Sequence, residues 1–166
     1  MSMNSPPGKS RAERPDGRLF LTEENLDRGT LTLLAAAKRV SVLLRHAAGE
    51  TELSALEFDI LMEIAHDPGL DVAQLRQRVG GTTPTIARLL AKLEKDGWIV
   101  RPKAERDGRR KALRLSESGI NFVDGMLATI RKDMTHIYRQ AGEPSVTGAM
   151  ELLGGVSELS ADIESS

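Results

Sequence analysis

The stretch from Thr82 to Gly119 constrains the fold more than any other part of the chain. An apolar pattern at helical spacing (Ile86, Leu89, Leu90, Leu93) runs into Gly97, and Trp98-Ile99-Val100 then reads as a short strand. A loop of roughly residues 102–111 follows, crowded with Arg106, Arg109, Arg110 and Lys111 around Asp107 and Gly108. Ala112–Leu115 alternates like an antiparallel partner strand, and Ser116 is placed to cap another helix.

Charge sharpens this pattern. Residues 74–114 carry twelve basic and four acidic side chains, a local net of +8 in a chain whose formal net charge is −1. A basic block inside an acidic protein is the electrostatic footprint of a surface that meets nucleic acid. Its alternative reading, a merely solvated charged face, does not account for the block coinciding with a helix-turn-helix pattern.

The flanking segments supply that pattern. Ser54 with Glu57 forms a capping box ahead of Leu56, Phe58, Ile60, Leu61 and Ile64, and Asp67-Pro68-Gly69 ends the helix near His66. Asp71 caps a shorter helix in which Val72, Leu75 and Val79 face inward. Gly80-Gly81 makes the turn, Thr82 or Thr83 caps the next helix, and Pro84 sits in its first turn, where a missing N–H costs nothing. Two short helices around a tight glycine turn, then strand, basic loop and strand, give a winged helix-turn-helix.

Three further segments exceed what so small a domain needs. Leu26, Leu33, Leu34, Ala37, Val40, Leu43, Leu44 and Ala47 mark a long helix over about 22–48, with Gly49 as its stop. Ile120, Val123, Met126, Leu127, Ile130, Met134, Ile137 and Tyr138 mark another, to about Ala141, broken by Gly142-Glu143-Pro144. Val146, Met150, Leu153, Val156, Leu159 and Ile163 mark a last one. The expected fold class is mainly α: a winged helix-turn-helix with a three-helix core plus β-hairpin wing, and long N- and C-terminal helices. The expected domains are a flexible arm over 1–21, a helical region over 22–50 and 116–163, and the DNA-binding domain over 51–115.

With no cysteine, disulfides, thiolate metal sites and cysteine redox switches are excluded. His46, His66 and His136 are isolated from one another, with no second His at helical spacing and no Cys, so no metal and no cofactor are expected. No apolar run approaches a membrane span and residues 1–20 lack the apolar centre of a signal peptide, so the expectation is a cytoplasmic protein without membrane contact. No paired carboxylates, nucleophile-plus-base set or phosphate loop point to an enzyme.

In a helix-turn-helix the second helix enters the major groove. Its outward Thr83, Thr85, Arg88 and Lys92 are the expected contacts to double-stranded DNA, with Arg88 the base reader because arginine pairs bidentately with guanine. Arg106, Arg109, Arg110 and Lys111 suit the narrow, electronegative minor groove. Asp107 is read as a brace that holds Arg109 or Arg110 through a charge-assisted pair. The alternative function is an architectural, non-specific DNA-binding or protein-interaction module.

The loop Asp107-Gly108-Arg109-Arg110, the step Leu115-Ser116-Glu117-Ser118-Gly119 and the run from Arg88 to Gly97 together resemble the MarR family of bacterial transcriptional regulators. The resemblance covers about residues 22–163; Pro84 and the long arm depart from it. It implies that the helical region over 22–50 and 116–163 is a dimerisation region, its terminal helices interleaved in a homodimer, with a pseudo-palindromic operator and, most often, repression. It also implies a small aromatic or phenolic effector, for which Val42, Arg45, His46, Phe58, Met62 and His66 are the candidate lining residues.

Overall fold

The computed structural model describes residues 21–101 and 112–162, with the side chains of 159–162 excepted. Among the described residues eight elements occur in order: α1 Glu23–Ala48, α2 Ala55–His66, α3 Val72–Val79, α4 Thr83–Lys95, β1 Ile99–Val100, β2 Arg114–Leu115, α5 Glu117–Ala141 and α6 Glu143–Asp162. The chain divides into two compact units inside α1, one ending at Val42 and one beginning at Leu43. In the first, Leu26, Leu31, Leu34, Val40 and Val42 are all exposed, and α1 as a whole has no buried residue. Among the described residues, no helix is long and apolar enough to cross a membrane.

The second unit holds the core. Ile60, Leu61 and Ile64 of α2 meet Leu75 of α3, Ile86, Leu89, Leu90 and Leu93 of α4, Ile99 of β1, and Leu70 and Leu113 from the connecting segments. Each such side chain taken from water stabilises the fold by about 1.5–3 kcal/mol. The inward stripes expected of α2, α3 and α4 are therefore the ones used, with Val72 and Val79 half-buried against the same cluster.

Capping chemistry sets where these helices begin. Ser54 accepts from the Glu57 amide while Glu57 accepts from the Ser54 amide, and Asp71 and Gln74 repeat the exchange for α3. Each reciprocal pair satisfies two N–H groups that an open helix end leaves orphaned. Thr82 caps α4 and Ser116 caps α5. The far end of α4 closes just as locally. Gly97, at φ +80°, lets its own N–H reach Glu94 O (3.2 Å) and the Trp98 N–H reach Leu93 O (2.8 Å). That is a Schellman motif, which glycine in the left-handed region permits.

The strands are shorter than the alternation suggests. They pair antiparallel with Ile99 opposite Leu115 and Val100 opposite Arg114. Trp98 lies outside the ladder because its N–H closes α4, while its carbonyl accepts from the Ser116 amide at 3.0 Å. Leu113 lies outside it because it pairs elsewhere. Its N–H donates to Leu70 O and its carbonyl accepts from Gly69 N, both at 3.0 Å. The sequence marked Asp67-Pro68-Gly69 only as a helix break, yet the chain just beyond it forms a backbone bridge to the root of the wing.

One boundary differs from expectation. Gly142 alone, at φ +77°, separates α5 from α6, and Glu143 and Pro144 belong to the first turn of α6. Proline tolerates that position because the N–H it lacks has no helical partner there. The remaining apolar side chains of α5 and α6 have little to cover them: Ile120, Ile137, Met150, Leu152, Leu153 and Val156 are all exposed. Ile163 lies outside the described residues.

Candidate DNA-binding surface

The helix-turn-helix is α3, the Gly80-Gly81 turn and α4. Both glycines have positive φ, +72° and +102°, which side-chain-bearing residues rarely adopt. The turn brings the start of α4 beside the end of α3, and Arg76 Nη1 donates to Thr83 Oγ1 at 3.4 Å.

Each expected contact on α4 has a distinct position. Thr83 is exposed at the first turn. Thr85 is half-buried, and its hydroxyl shares a hydrogen bond with that of the cap residue Thr82 at 2.9 Å. Arg88 is exposed, and among the described residues no hydrogen bond or ion pair holds it. Lys92 is engaged. Its Nζ donates to Glu57 Oε1 at 2.7 Å and lies 3.9 Å from Asp96 Oδ2. The expected wing residues Arg106, Asp107, Arg109, Arg110 and Lys111 lie outside the described residues.

Glu57 is an unusual partner because its side chain is only 3% exposed. Burial pushes its carboxyl up, but the hydrogen bonds from Lys92 and Ser54 and the Lys92 charge outweigh this and hold it below its ordinary 4.5. The hydrogen bond to Glu57 raises the Lys92 ammonium above its ordinary 10.5, against an opposing effect of desolvation.

The sign of the linkage follows. Glu57, depressed in the folded state, contributes stability that is present above 4.5 and is lost as pH falls through its lower folded value. We expect the stability gap between the parent and Glu57→Gln to shrink as pH falls from about 6 to about 3 in urea titrations. A gap constant over that range would show that the carboxylate does not stabilise the fold as an anion.

Other cations of the basic block are also engaged. Arg78 pairs with Asp67 at 2.8 Å and lies 3.6 Å from Glu63, and Arg101 Nε lies 3.4 Å from Glu94 Oε2. Among the described residues, Arg88 and Lys95 are the cations of α4 left without an ion pair.

Beyond α4, the root of the wing meets α5. The Ser116 hydroxyl donates to Gly97 O and accepts from the Gly119 amide, and the Trp98 and Phe122 rings meet edge-to-face at 5.1 Å. Behind this root lies an open groove of about 880 Å³. It is lined by Leu44, Met62, His66, Pro68, Arg114, Ile120, Asp124 and Leu127 among others.

Of the six residues expected to line a ligand site, Met62 and His66 are here. Arg45 and Phe58 border a smaller, more polar cleft at the link between α1 and α2. There the Arg45 guanidinium sits 5.5 Å from the Phe58 ring centre and pairs with Asp59 at 2.9 Å. Val42 and His46 line neither. Sequence reasoning missed Arg114, Asp124, Ile120 and Leu127 as lining residues. The last two sat in the α5 stripe, seven residues apart on one helix face. Among the described residues, no cluster of three His, Asp or Glu side chains forms a metal site.

A family model described as "MarR family" matches residues 51–110. The chain is 30% identical over 140 residues to the HTH-type transcriptional regulator PetP of Rhodobacter capsulatus, covering 81% of each protein. The chain belongs to the MarR family. The HTH-type transcriptional regulator SarZ of Staphylococcus haemolyticus is 34% identical over 71 residues, 43% of this chain and 48% of SarZ.

Solved MarR-type structures share the fold. NadR in complex with 4-hydroxyphenylacetate aligns with a TM-score of 0.64 at 19% identity, over 91% of this chain and 97% of NadR. A MarR family protein from Bacillus stearothermophilus aligns with a TM-score of 0.60 at 16% identity, over 83% and 96%. As a MarR-family member the chain is a DNA-binding transcriptional regulator with a winged helix-turn-helix, and the family and these relatives are not enzymes.

Proposed function

We propose that this MarR-family chain acts in the cytoplasm as a homodimeric repressor that reads a pseudo-palindromic operator and is released by a small ligand. The observation that carries the reading is Arg88: an exposed arginine on the outward face of α4 without a partner among the described residues, while Arg78, Lys92 and Arg101 are paired. An unpaired guanidinium there is free to meet guanine O6 and N7. Thr83 and Thr85 lie on the same first turns, where hydroxyls reach bases or phosphates. Arg106, Arg109, Arg110 and Lys111 are assigned to the minor groove and Asp107 to bracing Arg109 or Arg110.

The exposed apolar side chains of α1, α5 and α6 support a dimer, because a monomer gains nothing by leaving so many in water. Residues 22–50 and 116–163 are assigned to that role, 51–115 to DNA and 1–21 to an arm. Two-fold symmetry then sets half-sites about 34–36 Å apart along the duplex. For the ligand, the groove beside α5 is mostly apolar and carries Arg114 and His66, which suits a small aromatic or phenolic acid. The structure of NadR with 4-hydroxyphenylacetate supports that class.

The test is titration of the protein against promoter fragments and random competitor at physiological salt, with the dimer read by sedimentation. Specific binding as a dimer, weakened by 4-hydroxyphenylacetate or a similar acid, is expected. Equal affinity for all fragments would instead make the protein an architectural binder.

A further inference from the structure

α4 is anchored by four apolar side chains, Ile86, Leu89, Leu90 and Leu93. Apolar burial is non-directional, so such a stripe sets which face of a helix points inward but its rotation about its own axis only coarsely. A directional bond on its flank sets it closely. Successive residues turn by about 100°, which puts Arg88 and Lys95 opposite the buried stripe and Lys92 and Glu94 on opposite flanks. On one flank Lys92 Nζ donates to Glu57 Oε1 at 2.7 Å; on the other Glu94 Oε2 and Arg101 Nε form only an ion pair at 3.4 Å, without hydrogen-bond geometry.

The Lys92 bond is the stronger fastening. It joins residues 35 apart in sequence, and Glu57 itself is immobilised. Its second oxygen accepts from the Ser54 amide at 2.8 Å, within the cap of α2. Moving the ammonium to a phosphate would leave a nearly buried carboxylate without its cation, which is strongly unfavourable. Asp96, 3.9 Å away, further neutralises the ammonium as seen from DNA.

We propose that Lys92 is a positioning residue rather than a DNA contact: through the Glu57 carboxylate it fixes the rotation of α4 and so aims Arg88. The inference rests on α4 being the helix presented to DNA.

The test uses two duplexes: one selected by the parental protein from a random-sequence library, and a scrambled duplex of the same composition. Lys92→Met keeps the apolar stem and drops the charge; Glu57→Gln removes the other partner. Both variants are measured at a temperature where circular dichroism shows them folded. Lys92→Met is expected to lower affinity for the selected duplex about tenfold, the order of one mis-set base contact. Affinity for the scrambled duplex should stay within about twofold, with the slope of log affinity against log salt unchanged. Glu57→Gln should act alike, the double variant no worse than either single one, and Lys92→Arg should restore most of the loss.

Equal losses on both duplexes with a salt slope lower by about 1 would make Lys92 a phosphate contact and overturn the proposal. So would a lower unfolding midpoint with unchanged affinities, which would leave the pair a purely structural role. A parental protein without preference between duplexes would overturn the operator reading itself, and the positioning role with it.

Discussion

Replacing Gly119 with alanine will destabilise the protein by about 3 kcal/mol, the upper part of the range for inserting a methyl group into packed structure. Gly119 is buried in the first turn of α5, where a Cβ would run into the Trp98 carbonyl oxygen and come within 3.3 Å of Leu115 Cβ. That carbonyl cannot swing away like the end of a side chain. It is backbone, already bonded to the Ser116 amide at 3.0 Å, and its own residue's N–H closes α4. Relief requires α5 to lift, which pulls on the Ser116 cap and on the Trp98–Phe122 contact.

The better helix propensity of alanine, roughly 1 kcal/mol, offsets only part of this. Gly125 is the internal control. It lies in the same helix with nothing within 4 Å of its would-be Cβ, so Gly125→Ala should be neutral or stabilising. Urea unfolding at one fixed protomer concentration compares the two. Equal stabilities for the two variants would show that α5 does not need the close approach at Gly119.

Arg88→Ala should cost about 1–3 kcal/mol of operator binding and relax base preference at one position of each half-site. The guanidinium is exposed and no carboxylate competes for it among the described residues, so the whole of its donor fork is available. Lys95→Ala, on the same outward face and further from the helix start, should weaken binding slightly and uniformly, as a phosphate contact does. The readout is affinity across a panel of single-base operator variants. If Arg88→Ala lowers all of them by the same factor, Arg88 touches phosphate and another residue reads the base.

What the sequence revealed and what it concealed divide along sequence distance. Ser54, Asp71, Thr82 and Ser116 were legible as caps because a cap and its amide are three residues apart. The buried stripes of α2 and α4 were legible because helical periodicity is local. The Glu57–Lys92 pair and the Leu70–Leu113 bridge were not, since nothing near either residue announces its partner. Gly119 looked like an ordinary glycine in a motif; its reason is a carbonyl 21 residues earlier.

The charge count marked residues 74–114 as the proposed DNA-facing region, but it treated every cation as equivalent. Arg78, Lys92 and Arg101 face carboxylates of their own protein. The candidate ligand residues were spread over α1 and α2 because a helix pattern marks an inward face without showing which flank stays open. Only Met62 and His66 reached the larger groove, where β2 and α5 supply Arg114, Ile120, Asp124 and Leu127.

The bridge between Leu113 and the Gly69-Leu70 segment also bears on how such a regulator diversifies. The second strand is tied to the α2–α3 link before it pairs with the first, and Ile99 and Leu115 close the root below. The sequence between residues 101 and 112 is thus joined to the domain at two independently secured points. Loop closure adds only about 0.6 kcal/mol for each doubling of length. That segment can be lengthened, shortened or exchanged for a relative's at small cost to folding. If the wing meets DNA as proposed, operator preference can then drift through it while the helix-turn-helix, its caps and its core stay as they are.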